Sequence, residues 1–390
     1  MPNNSGYVAA TLVLRSKEIS NNGLAHICEH TSFSGAAGTM SAGEVAGMYK
    51  SCIQESNAST EVGAIQWHAS FLPQYLPQAT GLLAVTPSTR NSILQRSGRK
   101  PAWFWRSYIS TNTAPTNSRN TKWIESCSAS SIHTPRTRWK RKLRDARSHR
   151  PSLPHSCATS PPRFACRRTW TFFWWAQSTL IAAAKLVQEH FGKYAFAEGP
   201  RLEIPRVGVT RVYTGLTEAS HELKRPMTDL RIAWNTDVCV TSADARLLMA
   251  LSQYLSTALF DDLREKDGDT YTPEVTYEPD ACSGIVKISV SSSKDPERTE
   301  KKVFDIIDEM KADIDAKELS RLRDRFALKR RKEAYENETL VDCMVARTLD
   351  GASPHDLAVE SVTREEVLAT ARKYMPSYQQ GYVRLALKGQ

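Results

Sequence analysis

The 390-residue chain contains no apolar run long enough to cross a membrane as a helix, and no charged-then-apolar leader opens it. A membrane span is therefore not expected, and the compartment stays open. Its eight cysteines, Cys28, Cys52, Cys127, Cys157, Cys166, Cys239, Cys282 and Cys343, include no Cys-x-x-Cys pair and follow no regular spacing. That scatter excludes a zinc ribbon and a disulfide framework. Acidic residues are scarce in one stretch: residues 91–170 hold seventeen Lys and Arg against Glu125 and Asp145 alone. The net charge of +10 is thus a local excess over a remainder that is mildly acidic, and it does not mark the whole protein as a nucleic-acid binder. The hydrophobic content of 41% is ordinary for a globular protein, and the length suffices for two domains with their own cores.

Against these absences stands one pentapeptide whose residue types and spacing specify a chemistry, His26-Ile27-Cys28-Glu29-His30. On a helix, residues four apart lie one above the other, so His26 and His30 can present two imidazoles to one metal ion with Glu29 beside them. Neutral imidazole is a good zinc ligand, and zinc brings the pKa of a bound water near neutrality. A neighbouring carboxylate can take that water's proton and pass it to a leaving amine, which makes Glu29 the candidate general base. The order His-x-x-Glu-His is the inverse of the commoner zinc-peptidase motif. The competing reading is a pair of surface histidines on an amphipathic helix.

The flanks decide between them. Asn22-Gly23-Leu24-Ala25 leads into the motif, Phe33-Ser34-Gly35 and Gly38-Thr39 follow it, and Asn57-Ala58-Ser59-Thr60 comes after a helix predicted near Ser41 to Cys52. An extended stretch is predicted from Ala64 to Phe71. The run resembles the insulinase, pitrilysin and mitochondrial processing peptidase family, with its Gly-Leu-Ala-His-x-x-Glu-His, Gly-Thr and Asn-Ala-x-Thr patterns. The resemblance implies a zinc-dependent metalloendopeptidase, with Zn2+ on His26 and His30, Glu29 as base, and a peptide substrate added as a strand beside Asn57 and Ala58. It also implies a homo- or heterodimeric pairing with another family half. A catalytically silent structural or substrate-presenting subunit is the alternative within the same family. In this family an earlier strand usually precedes the one starting at Tyr7, so a missing amino-terminal piece is expected.

From about Leu180 the pattern is regular. A helix over 182–191 ends at Gly192, and a loop with Pro200 and Pro205 reads as the interdomain linker. Leu230, Ile232 and Trp234 alternate as a strand, and Leu248, Leu251, Leu255 and Leu259 form the stripe of a long helix begun by Thr241 or Ser242. Val286, Ile288 and Val290 make another strand. Helices follow on Val303/Ile306/Ile307/Met310 and on Leu319/Leu322/Phe326, then one opened by the capping box Thr363/Glu366, and Val383, Leu385 and Leu387 alternate as the last strand. The order fits an α+β fold of two domains of one type, each a mainly antiparallel sheet covered by helices. The expected boundaries are 1–195 for the domain with the zinc motif and 205–390 for the second, which again resembles the same family.

There, Leu263-Arg264-Glu265-Lys266-Asp267-Gly268-Asp269-Thr270-Tyr271 is similar to the family's Leu-Arg-Glu-Lys-x-x-x-x-Tyr segment. The resemblance gives Arg264 and Tyr271 to the substrate, next to the scissile bond. A guanidinium and a phenol are suitable donors to a carbonyl becoming an oxyanion. A helix-end Arg and a strand Tyr are the plainer alternative. Lys329-Arg330-Arg331-Lys332 reads as a solvated helix face, and His68, His190, His221 and His355 have no metal-ligand spacing.

Residues 90–175 fit none of this. They lack a sustained helical or strand period, and 91–175 holds seven of the nine tryptophans. A basic arm for nucleic acid and a family-specific insertion are two readings. The third is translation in a shifted frame. Read from the last base of each codon, Phe173-Trp174-Trp175-Ala176-Gln177-Ser178 encodes Leu-Val-Gly-x-[Val/Ile], the strand and turn that the family places before the helix near Leu180. With Arg106 as AGR and Ser107 as TCN, the same offset over Ala102 to Ser107 encodes [Met/Leu/Val]-Val-Leu-Glu-[Val/Ile], whose Glu stands where the family has its third zinc ligand. As written the chain keeps two ligands, and neither Glu61 nor Glu125 lies in a ligand motif. No nucleic-acid partner is expected. Sequencing codons 85–180 is expected to show an AGR codon at Arg106 and a compensating slip of one or two bases; a CGN codon there, or an unbroken frame, overturns the shift.

Overall fold

The computed structural model describes residues 6–15, 29, 32, 35–37, 39–61, 64–88, 170–175, 180–192, 217–222, 228–266, 273–281 and 283–388. These fall into two compact units. The first takes the described residues up to 192 together with Ala334–Val345, and the second takes the remainder.

The first unit is built on strands β1 (Val8–Arg15), β2 (Glu55–Glu61), β3 (Ala64–Phe71) and β4 (Trp170–Trp175), in the order β2-β3-β1-β4 with every neighbour antiparallel. Its helices are α1 (Ala42–Cys52), α2 (Leu76–Val85) and α3 (Leu180–Phe191). Ser41 caps α1 in a reciprocal box with Glu44, which satisfies two amide donors that a helix start leaves open. One face of the sheet carries Val8, Ala10, Leu12 and Leu14 of β1 and Ile65, Trp67, Ala69 and Phe71 of β3, packed on Ala79 and Leu83 of α2. At Gly81 a side chain would meet the His190 ring of α3 at 3.0 Å, so glycine permits the α2–α3 approach.

Every residue of β1 is buried, because the opposite face is covered as well. There Glu338 accepts from the Tyr7 and Ser70 hydroxyls, the Asn337 side-chain amide donates to the Tyr7 carbonyl, and His68 Nδ1 lies 3.0 Å from Thr11 Oγ1 and 3.8 Å from Asp342 Oδ1. Burial and the Glu338 carboxylate push the Tyr7 phenol up to about 12. Ala334–Val345 therefore belongs with the first unit, whereas sequence alone assigns all of 205–390 to the second domain. Residues 170–175 form β4, opposite Ala9 to Leu14. Pro200 and Pro205 lie outside the described residues.

The second unit has a five-stranded sheet in the order β5-β9-β6-β8-β7, from β5 (Thr217–Glu222), β6 (Thr228–Thr236), β7 (Pro273–Pro279), β8 (Gly284–Ser293) and β9 (Val383–Lys388). Only β5–β9 pair in parallel. Helices α4 (Ala245–Leu259), α5 (Pro296–Ala312), α6 (Ala316–Glu333), α7 (Asn337–Asp350) and α8 (Arg364–Tyr374) complete the chain's described helices. The leucine stripe of α4 meets Ile232, Val275, Val286 and Ile288 from the sheet and Val303, Phe304 and Ile307 from α5 in one core. Buried Glu300 receives the Tyr382 hydroxyl at 2.6 Å and faces Arg384 Nε at 2.6 Å, so its charge is compensated.

Helix α4 starts later than Thr241 or Ser242. Ser242 accepts the Ala245 amide within a preceding turn, and Asp244, at the cap position, turns its carboxylate to Tyr374 (2.6 Å) and Lys373 (2.9 Å) of α8. Nor is the 329–332 run wholly solvated: Arg330 donates to the His355 carbonyl at 2.8 Å and pairs with Glu360 at 3.2 Å. His355 Nδ1 lies 3.0 Å from Glu333. Leu255 is fully buried in this core. Leu255→Ala is expected to lower unfolding stability by about 2–5 kcal/mol, read as a lower urea midpoint with an unchanged slope.

Candidate functional site

Glu29 is helical and buried, with 7% of its surface exposed. Its Oε2 accepts from Thr60 Oγ1 at 2.6 Å. Burial pushes the carboxyl pKa above its ordinary value; the Thr60 hydroxyl pulls it down, and the nearby Glu61 carboxylate raises it again. A carboxyl group in this setting takes up a proton more readily than one in water, the property a general base needs if it is to pass that proton on.

The Glu29 backbone is held as well. Its carbonyl accepts from the Ser32 amide at 3.1 Å and from Ser32 Oγ at 2.6 Å, and Ser32 Oγ accepts from Trp67 Nε1 at 2.7 Å. Trp67 and Thr60 stand on one face of the β2–β3 pair, since Ala58 is opposite Trp67 and Thr60 opposite Ile65.

The structure therefore brings Glu29 to the strand that carries Asn57 and Ala58. In the described sheet β2 is an edge strand. Asn57 is exposed and its Oδ1 accepts from the Ala58 amide at 2.9 Å. Glu61, at the end of the same strand, is exposed. Arg264 belongs to the second unit, where a π-helical turn, Phe260–Lys266, widens the end of α4. Its guanidinium lies 4.8 Å from the centre of the Phe260 ring and 3.7 Å from Glu265 Oε1. His26, His30, Tyr271 and Glu125 lie outside the described residues.

Among the described residues no group of three His, Cys, Asp or Glu side chains is arranged to hold a metal ion. The donors in the motif are two imidazoles with a carboxyl group beside them, and these are donor types that zinc takes. Sequence reasoning quoted Thr60 within a motif without assigning it a task, and it missed Ser32 and Trp67. Two signals were present: a hydroxyl three residues after Glu29 on a helix, and a tryptophan at the inward parity of β3.

Two family models match the chain in order. Residues 15–96 match the insulinase (peptidase family M16) model, and residues 177–326 match the peptidase M16 inactive domain. A comparison with curated proteins found no match. Among solved structures, the peptidase M16 inactive domain from Pseudomonas fluorescens aligns at a TM-score of 0.76 and 15% identity, over 100% of this chain and 97% of that one. A protease from Helicobacter pylori aligns at a TM-score of 0.74 and 14% identity, over 99% and 95%. The periplasmic protease PqqL from Escherichia coli aligns at a TM-score of 0.66 and 12% identity, over 99% of this chain and 43% of that one. Both matches are to models of one peptidase family, and both units carry the α+β fold found across these structures. The chain belongs to the insulinase/pitrilysin family, peptidase family M16.

Proposed function

We propose that the protein is a zinc-dependent metalloendopeptidase acting on peptides or unfolded segments. The observation that carries this reading is the buried Glu29 carboxyl, bonded to Thr60 on the strand whose Asn57 and Ala58 would receive the substrate. His26 and His30 would hold the ion. Zinc, when bound, supplies a water of near-neutral pKa and polarisation of the scissile carbonyl.

The remaining chemistry belongs to the chain. An extended peptide adds to the edge of β2, exchanging its backbone groups for the Asn57 side chain at the Ala58 amide. Glu29 takes a proton from the attacking water at its carboxylate and returns it to the leaving nitrogen; the carboxyl's raised pKa favours holding that proton between the two events. Arg264 and Tyr271 keep the role that resemblance gives them, donors to the carbonyl as it becomes an oxyanion. A second family half, identical or not, is the expected partner; this chain spans 43% of PqqL's length, so that protein has room for a further half within one chain.

A second reading is favoured by the sequence as written, which supplies His26 and His30 but no third ligand in a ligand motif: a silent subunit that presents substrate or supports an active half. Hydrolysis of an unfolded polypeptide with and without added zinc separates the two. The expected result is zinc-dependent cleavage, with Glu29→Gln lowering kcat by about 10²–10⁴-fold while zinc affinity, measured by chelator competition, is retained. Cleavage that is absent from the wild-type chain at saturating zinc selects the silent subunit.

A further inference from the structure

We propose that Thr60, Ser32 and Trp67 are positioning residues that hold Glu29 at two separate points from one β-hairpin. What the held carboxyl is for rests on the peptidase reading; that it is held does not. The first point is the side chain, where Thr60 Oγ1 donates to Oε2 at 2.6 Å. The second is the backbone, where the carbonyl takes both the amide and the hydroxyl of Ser32.

The direction of the second chain follows from chemistry alone. An indole N–H only donates, and a hydroxyl donates one proton while accepting others. Trp67 therefore donates to Ser32, and Ser32 is left to donate to Glu29. Trp67 is 2% exposed and Ser32 3%, so water does not compete for either bond. Both anchors sit on one sheet face, and a slip of one residue between β2 and β3 would turn β2's Thr60 to the other face while Trp67 stayed.

The arrangement does more than secure a helix. A buried carboxylate without donors is costly, and a Glu side chain has several rotamers to lose. A hydroxyl on Oε2 limits both problems, since it gives the carboxylate a donor and fixes the end of the side chain. Because Thr60 lies two residues from Ala58 on the same face, the hairpin ties the orientation of the base to the strand where the peptide would lie. Such fixed geometry between base and substrate is the preorganisation that lowers a barrier without tightening ground-state binding.

The test uses the full chain labelled with 13C-glutamate, the Glu29 Cδ resonance being identified by its loss in Glu29→Gln. Thr60→Val, which keeps the shape and removes the hydroxyl, is expected to shift that resonance, and Thr60→Ser to leave it in place. With zinc and an unfolded peptide, the valine variant should lose about 10–100-fold in kcat with little change in KM, and the serine variant should stay within about 3-fold of wild type. Ser32→Ala should also move the resonance; Trp67→Phe serves as the second probe of that arm. A Glu29 resonance indifferent to Thr60→Val sinks the proposal, as do equal losses in the valine and serine variants or an unchanged kcat in an active enzyme. If the wild-type chain cleaves nothing, the peptidase reading fails, while the resonance still decides whether Glu29 is held.

Discussion

The antiparallel register of β2 on β3 is the constraint on which the candidate site depends. Opposing Ala58 to Trp67 and Thr60 to Ile65 puts an indole and a hydroxyl on the face that Glu29 covers. The same pairing leaves β2 as an edge strand of the described sheet. The proposed base, its two supports and the strand proposed for substrate thus lie about one β-hairpin. The site's precision comes from pairing geometry, since strand side chains alternate with a period of two and tolerate no partial slip.

The sheet is itself held from both sides. Its inner face packs on α2, and on its outer face Ser70 and His68 of β3 meet Glu338 and Asp342, while Tyr7 beside β1 meets Asn337 and Glu338. Sealing both faces removes water from β1 and stiffens the platform beneath Glu29. The cost is a layer of polar groups that must all find partners, which hydroxyls facing carboxylates supply. In the second unit stability is simpler in kind: a leucine-rich helix on a sheet, with Glu300 compensated by Tyr382 and Arg384.

Elements with a strong period were legible beforehand. The strand of Leu230, Ile232 and Trp234 and the capping box at Thr363 and Glu366 stand where alternation and cap chemistry put them. The start of α4 was not, because Asp244 is engaged by Tyr374 and Lys373, partners about 130 residues away along the chain. The crossing of Ala334–Val345 to the first unit was equally invisible, since a helix's periodicity reports that one face is buried and not what buries it. Of the site, Glu29, Asn57 and Ala58 stood out by motif, whereas Ser32 and Trp67 are ordinary residues until hydrogen bonds join them.

By itself, the sequence determined the family, because His26-Ile27-Cys28-Glu29-His30 and its flanks are patterns of residue type at short range. It also determined the α+β class, through the periods of its strands and helices. Tertiary structure alone decided how Glu29 is supported, since Thr60 lies 31 residues from it and Trp67 lies 35 residues from Ser32. Contacts of that range depend on which strands pair and in which register, and register is a property of two segments together, written in neither one.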